Sequence, residues 1–169
     1  MRSEPGPAAA GGAPIFDAVE ARTRFAPPRS YRLVFTNGCF DLLHPGHVSL
    51  LCRARGLGDV LVVGLNADDS VRAIKGPGRP LVPATGRAAL LASLRYVDAV
   101  VLFDAETPLA LIEAIRPDVL VKGADYRAEE VVGADLVERW GGEVVMLPLQ
   151  GGCSTSALIR KILEVGPLA

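Results

Sequence analysis

A chain of 169 residues, half of them hydrophobic and 22% charged, is long enough to bury one sizeable core, so a single globular domain is expected. A formal net charge of −1 excludes an overall basic field for nucleic acid and a polybasic face for a membrane, so any phosphate binding has to be local. No apolar run approaches the roughly 18 to 20 residues that a bilayer span needs, the longest being stretches such as Val60 to Leu65.

Met1 to Pro14 is rich in Ala, Gly and Pro but lacks the basic start and apolar middle of a secretory signal, and it reads as a disordered tail. Ile15 to Phe25 is weakly amphipathic and predicts one helix, stopped by Pro27 and Pro28, which cannot continue it. Residues 1–29 are thus expected to form a tail with one short helix, and residues 30–169 one domain that begins near Tyr31. Cys39, Cys52 and Cys153 are an odd number at spacings that match no zinc pattern, which predicts free thiols in a cytoplasmic protein.

From Tyr31 onward, short β-branched runs bounded by Gly, Asp or Pro alternate with longer segments of helical periodicity, the pattern of βαβ units. Strands are predicted at Tyr31 to Thr36, Asp59 to Leu65, Ala99 to Phe103, Val119 to Lys122 and Glu143 to Leu147. The apolar run in each is continuous rather than alternating, as expected of strands covered on both faces. Helices are predicted at Gly46 to Arg55, Thr85 to Leu94, Pro108 to Ile115, Gly133 to Trp140 and Thr155 to Leu163. The expected fold is α/β and Rossmann-like: an open parallel sheet of about five strands with helices on both faces. Ligands of such sheets bind beyond the carboxyl ends of the strands, where the strand order reverses.

The motifs with chemical content follow strands directly. The first strand runs into Thr36-Asn37-Gly38-Cys39-Phe40-Asp41, and His44-Pro45-Gly46-His47 opens the first helix. Pro45 suits the first helical position, Gly46 lets a ligand approach the backbone, and His47 lies one turn in, so both imidazoles face whatever sits at the helix start. The partial positive charge of a helix N-terminus favours phosphate there. A capping or packing role would be the default for a lone histidine, but these are the only two in the chain and they share one turn. A zinc site lacks a third ligand at suitable spacing, so no metal ligand is assigned. No Gly-Lys dipeptide exists, which excludes a P-loop, and no G-x-G-x-x-G follows the first strand, which weakens dehydrogenase readings.

Three further segments qualify. Lys75-Gly76-Pro77-Gly78-Arg79-Pro80 is a turn-rich loop after the second strand, with Lys75 as a point charge and Arg79 as a planar fork for phosphate oxygens. Gly151-Gly152-Cys153-Ser154-Thr155-Ser156 is a good helix N-cap, and its glycines and backbone N–H groups also form an anion nest for the far phosphates of a triphosphate. Lys122-Gly123-Ala124-Asp125-Tyr126 reads equally as an ordinary strand-to-loop turn or as a nucleotide pocket with a cation, a close-approach glycine and a flat ring.

These residues together resemble the cytidylyltransferase-like superfamily of nucleotidyltransferases and, within it, the D-glycero-β-D-manno-heptose 1-phosphate adenylyltransferases. The resemblance runs from about Val34 to Ile162 and rests on Thr-Asn-Gly-Cys-Phe-Asp at 36 to 41, Lys-Gly-Pro-Gly-Arg-Pro at 75 to 80, Lys-Gly-Ala-Asp-Tyr at 122 to 126 and Gly-Cys-Ser-Thr-Ser at 152 to 156. It implies the HxGH nucleotidyltransferase fold and synthesis of ADP-heptose for the lipopolysaccharide core, without the sugar kinase domain to which the activity is often fused. It implies that His44, His47 and the stretch from Asn37 to Phe40 contact ATP, that Lys75 meets the transferring phosphates and that Ser154 to Ser156 hold the triphosphate. One departure stands at Gly86, where the family usually has an acidic residue ahead of Arg87, so no role carries over to Arg87.

The implied partners are ATP and a sugar 1-phosphate, with Mg2+ carried by the ATP, and a homodimer is the expected assembly. Nucleic acid and membrane are not expected partners. Two other readings stay open: a cytidylyltransferase acting on glycerol 3-phosphate or a related polyol phosphate, and a nucleotide-binding regulator without turnover.

Overall fold

A computed structural model describes residues 12–123, 131–148 and 154–166. In chain order the elements are β1 (Ile15–Phe16), α1 (Ala18–Phe25), β2 (Leu33–Gly38), α2 (Pro45–Arg55), β3 (Val60–Asn66), α3 (Asp68–Lys75), α4 (Ala84–Ala92), β4 (Ala99–Phe103), α5 (Leu109–Ile115), β5 (Val119–Gly123), α6 (Ala134–Arg139), β6 (Glu143–Leu147) and α7 (Thr155–Val165). The strands form one parallel sheet of six in the order β1-β4-β3-β2-β5-β6. The α/β, Rossmann-like expectation holds, with one strand more than the five expected.

The extra strand corrects the reading of Ile15 to Phe25 as a single helix. Ile15 and Phe16 pair with Val100 and Val101 at the sheet edge. Asp17 then starts α1 with a capping box: its Oδ1 accepts from the N–H groups of Val19 and Glu20, both at 2.8 Å, and Glu20 Oε2 accepts from Asp17 N at 2.9 Å. The cap makes the residues before it non-helical, so a β-branched and an aromatic residue are left to extend the sheet ahead of Tyr31. A second correction is α3, a helix of eight residues between the second predicted strand and the loop, where no element is predicted, and Lys75 ends that helix rather than opening the loop.

Alternation along each strand divides the apolar residues between two layers. Val34, Leu61, Val63, Val100, Val119 and Val121 pack with Leu51 and Ala54 of α2 and Leu91 of α4. Leu33, Phe35, Val62, Val101 and Leu120 pack with Phe25 of α1, Ile112 of α5 and Val137 of α6 on the opposite face. The amino edge is held by a repeated device, in which an aspartate ahead of one strand accepts from a backbone N–H of its neighbour. Asp59 Oδ2 takes Arg32 N, Asp98 Oδ2 takes Leu61 N and Asp118 Oδ2 takes Leu33 N, each at 2.7 Å. These bonds lock the register, because a one-residue slip would move every apolar side chain to the wrong layer.

From β2 the chain winds outward through β3 to β4, then crosses to β5 on the other side of β2. The order therefore reverses between β2 and β5, and the crevice beyond their carboxyl ends is where a ligand belongs. No described helix is long and apolar enough to cross a membrane.

Candidate active site

The turn from β2 into α2 is built from the residues that the motif contains. Phe40 has a left-handed backbone with φ of 45°, an uncommon conformation for a residue with a side chain, and its ring is buried. That ring lies over Gly38, where an added Cβ would stand 3.2 Å from Phe40 Cε2. The sharp turn delivers His44 to the N-cap of α2, with Pro45 in the first turn and no acidic residue there to neutralise the helix end. The His44 side chain makes no capping hydrogen bond, so its imidazole is left for other use.

The imidazoles of His44 and His47 stack at 3.7 Å between centroids with planes 21° apart, and Phe40 closes on His47 at 5.1 Å. Burial pushes both imidazoles below their ordinary range. For His47 the neighbouring His44 adds to burial and the value falls to about 4. Both rings are therefore neutral at pH 7 and offer one N–H and one lone pair each. Nδ1 of each is buried without a hydrogen-bond partner among the described residues.

Lys75 and Arg79, expected together on a loop, sit on different supports. Lys75 is the exposed last residue of α3, followed by Gly76 at φ of 96°, and Arg79 lies in the loop beyond. The Arg79 Nε donates to the carboxylate of Asp41, whose Oδ1 also accepts from Leu81 N at 2.7 Å and Val82 N at 2.9 Å. Burial would raise the Asp41 pKa, but the hydrogen bonds from Val82, Leu81 and Arg79 outweigh it and hold the carboxyl below its ordinary range. Asp41 thus ties the loop after α3 to the turn after β2. Cys39 lies beside this group, and burial raises its thiol pKa against the opposing pull of Lys75, Arg87 and Arg79, so it stays protonated at neutral pH.

Arg87, given no role by the sequence, is fully buried. Its guanidinium donates to the carbonyls of Val82 at 2.9 Å, Cys39 at 2.6 Å and Asn66 at 2.8 Å, and pairs with Asp68 at 2.7 Å. The planar fork of arginine is the one side chain that reaches four acceptors in different directions from one buried point. It fastens the ends of β2 and β3, the start of α3 and the start of α4. Across the reversal point, Lys122 Nζ donates to Asn37 Oδ1 at 2.6 Å and so links the carboxyl ends of β5 and β2.

These elements enclose a cavity of about 650 Å³ over the carboxyl end of the sheet. Thr36, Asn37, Gly38, Cys39, Phe40, His44, His47, Lys75, Arg79, Lys122, Gly123, Ser154, Thr155 and Ser156 all line it. Asp125, Tyr126 and the glycines at 151 and 152 lie outside the described residues. Ser154 acts as the expected cap, its Oγ accepting from Ala157 N at 3.1 Å, and the start of α7 lies on the cavity lining. Asn66, Glu106 and Thr107 also line the cavity and were not anticipated, because they reach it from β3 and from the loop after β4. Neutral imidazole donors, a lysine, an arginine and two helix starts around one cavity can hold several phosphate oxygens at once.

A family model described as cytidylyltransferase-like matches residues 35–160. Bifunctional protein HldE of Caulobacter sp. (strain K31) is 60% identical over 134 residues, which are 79% of this chain and 28% of that protein. Bifunctional protein HldE of Syntrophotalea carbinolica is 54% identical over 88% of this chain and 29% of its own length. The chain thus spans under a third of the curated relatives it matches. Among solved structures, the lipopolysaccharide core biosynthesis protein from Thermoplasma volcanium GSS1 superposes with a TM-score of 0.59 at 26% identity, over 73% of this chain and 100% of that one. Pantoate-beta-alanine ligase from Francisella tularensis shares the fold at 15% identity, with a TM-score of 0.59 over 91% of this chain and 82% of that one.

Proposed function

The chain belongs to the cytidylyltransferase-like family, and on that premise we propose that it transfers AMP from ATP to D-glycero-β-D-manno-heptose 1-phosphate, releasing pyrophosphate. The observation that carries the reading is the stacked, neutral His44–His47 pair at the start of α2, opening on the same cavity as Lys75 and the start of α7. The sugar side rests on the four motifs shared with the heptose 1-phosphate adenylyltransferases and on the lipopolysaccharide-core name of the Thermoplasma neighbour.

In this reaction a phosphate oxygen of the sugar attacks the α-phosphorus of ATP in line with the departing pyrophosphate, and no covalent enzyme intermediate forms. The protein's task is to position two anions and stabilise charge on non-bridging oxygens. His44 and His47 hold phosphate oxygens by hydrogen bonding rather than by net charge. Lys75 meets the transferring phosphate, Arg79 supports it from its seat on Asp41, and the α7 start with Ser154, Thr155 and Ser156 takes the far phosphates. Lys122 and Gly123 border the nucleotide, with Asp125 and Tyr126 following in sequence. Magnesium is carried in on ATP, held mostly by its phosphates and by water rather than by a cage of protein ligands.

A pyrophosphate-release assay that crosses ATP, CTP, GTP and UTP with heptose 1-phosphate and glycerol 3-phosphate tests the reading. Turnover is expected for ATP with the heptose. A site built to hydrogen-bond one base rejects another by leaving its own polar groups unpaired, so discrimination should be large, up to about 10⁴-fold. Turnover of CTP with glycerol 3-phosphate, and none of ATP with the heptose, would overturn it.

A further inference from the structure

The cavity has two walls of opposite chemistry. The imidazoles, Lys75 and Arg79 gather above the sheet face that carries α2 and α4, whereas Glu106 and Thr107 come from the loop that leads into α5 on the other face. A carboxylate on the wall of a cavity for two phosphorylated substrates needs compensation: Asp41, also on the lining, has it from Arg79 and two backbone N–H groups, whereas Glu106 has no partner among the described residues and is left to accept from substrate hydroxyls. The loop that carries it is built in. Asn66 Nδ2 donates to Ser70 Oγ at 2.8 Å, and Ser70 Oγ donates to the carbonyl of Ala105 at 2.9 Å, so the buried end of β3 holds the residue ahead of Glu106. Asn66 Oδ1 accepts no hydrogen bond among the described residues, and Asn66 itself lines the cavity. Glu106, Thr107 and Asn66 therefore bring a carboxylate, a hydroxyl and a side-chain amide to the same lining. They stand toward β3 and β4, away from the β2–β5 reversal point and α7, where the nucleotide phosphates are expected.

We propose that Glu106, flanked by Thr107 and Asn66, determines acceptor specificity by taking hydrogen bonds from the hydroxyls of the sugar phosphate. The proposal rests on the reading of the site as a nucleotidyltransferase for a sugar 1-phosphate. A heptose offers several donors to this wall, whereas the ribose of the nucleotide offers two, so an acceptor-rich surface suits the sugar. Hydrogen bonds to a charged group are the stronger kind, which makes the carboxylate the dominant member.

Glu106 is exposed and makes no hydrogen bond among the described residues, so Glu106→Ala and Glu106→Gln leave the fold intact. Initial rates of the full chain, with ATP, magnesium and heptose 1-phosphate varied independently, provide the test. Glu106→Ala should raise the Michaelis constant for the sugar phosphate about tenfold or more, with kcat and the constant for ATP within about twofold of the parent. Glu106→Gln, which keeps an acceptor oxygen without the charge, should recover part of the loss. An active parent whose sugar constant is unmoved by Glu106→Ala, or whose constant for ATP or requirement for magnesium moves instead, overturns the acceptor role alone. A parent that releases no pyrophosphate with any sugar phosphate overturns the nucleotidyltransferase reading and this assignment with it.

Discussion

His47 shows how much a single side chain depends on where its turn puts it. Its imidazole is buried against Phe40 and stacked on His44, and its pKa is held at about 4. In the unfolded chain the same group titrates near 6.5. Between those values the unfolded state binds a proton that the folded state refuses, so stability falls as pH falls from about 6.5 toward 4, and above that window the group is neutral in both states. The slope from this residue approaches about 1.4 kcal/mol per pH unit at most. Urea midpoints at pH 7, 6 and 5 should therefore drop more steeply for the parent than for His47→Gln, which has no proton to take up. Equal slopes would mean that the ring titrates normally and that the clamp is hydrated rather than buried. Asp41 works in the opposite chemical sense on the same turn, a carboxyl kept ionised by three donors, so the two residues make the turn acid-sensitive for different reasons.

At the scale of elements, α2, α3 and α4 are brought to one site by Arg87 more than by their own sequences. Arg87→Lys keeps the charge but replaces a four-way fork with a compact ammonium, so the carbonyls of Cys39, Asn66 and Val82 cannot all be satisfied. Breaking a buried, hydrogen-bonded charge network costs about 3–5 kcal/mol, and chemical denaturation of Arg87→Lys should show a loss of that order. A midpoint close to the parent's would mean that the loop and α3 are held by something else. Gly86 beside it fits closely, since a Cβ there would stand 3.1 Å from Val82 Cγ1, and a larger residue at that position would need the Val82 side chain to give by a few tenths of an ångström. The role of Arg87 was not legible in the sequence because its partners are mostly backbone carbonyls, which every residue owns. The inner strands were legible because their continuous apolar runs can be satisfied only by burial on both faces. β1 is too short to show any period, and α3 has only Val71 and Ile74 as large apolar residues among charges, next to a Lys-Gly-Pro-Gly stretch that reads as turn. His44, His47 and Lys75 lie in sequence close behind strands, where a ligand edge is foreseeable. Glu106 and Asn66 reach the cavity only through the strand order, which no local pattern encodes.

For the molecule as a whole, two apolar layers make the sheet with α1, α2, α4, α5 and α6 one body, to which Arg87 fastens α3, and α7 is the helix with no buried side chain. Its Leu158, Ile162, Leu163 and Val165 are exposed. A helix with so little apolar contact has little to prevent local opening, which needs far less free energy than global unfolding. Its start nevertheless lines the cavity with Ser154, Thr155 and Ser156, so a triphosphate bound between the α2 and α7 starts would tie this exposed helix to one packed in the core. Ligand that binds only the closed form stabilises it by RT ln(1 + [L]/Kd), about 2.7 kcal/mol at a hundred times Kd. Amide hydrogen exchange over Thr155–Val165 should therefore slow by up to about a hundredfold when the chain is saturated with ATP and magnesium, while the central strands, expected to exchange through global unfolding, should slow by no more than the overall gain in stability. Exchange in α7 that ignores ATP, beside protection of the His44–His47 turn, would place the triphosphate on α2 alone and leave Ser154 a helix cap and nothing more.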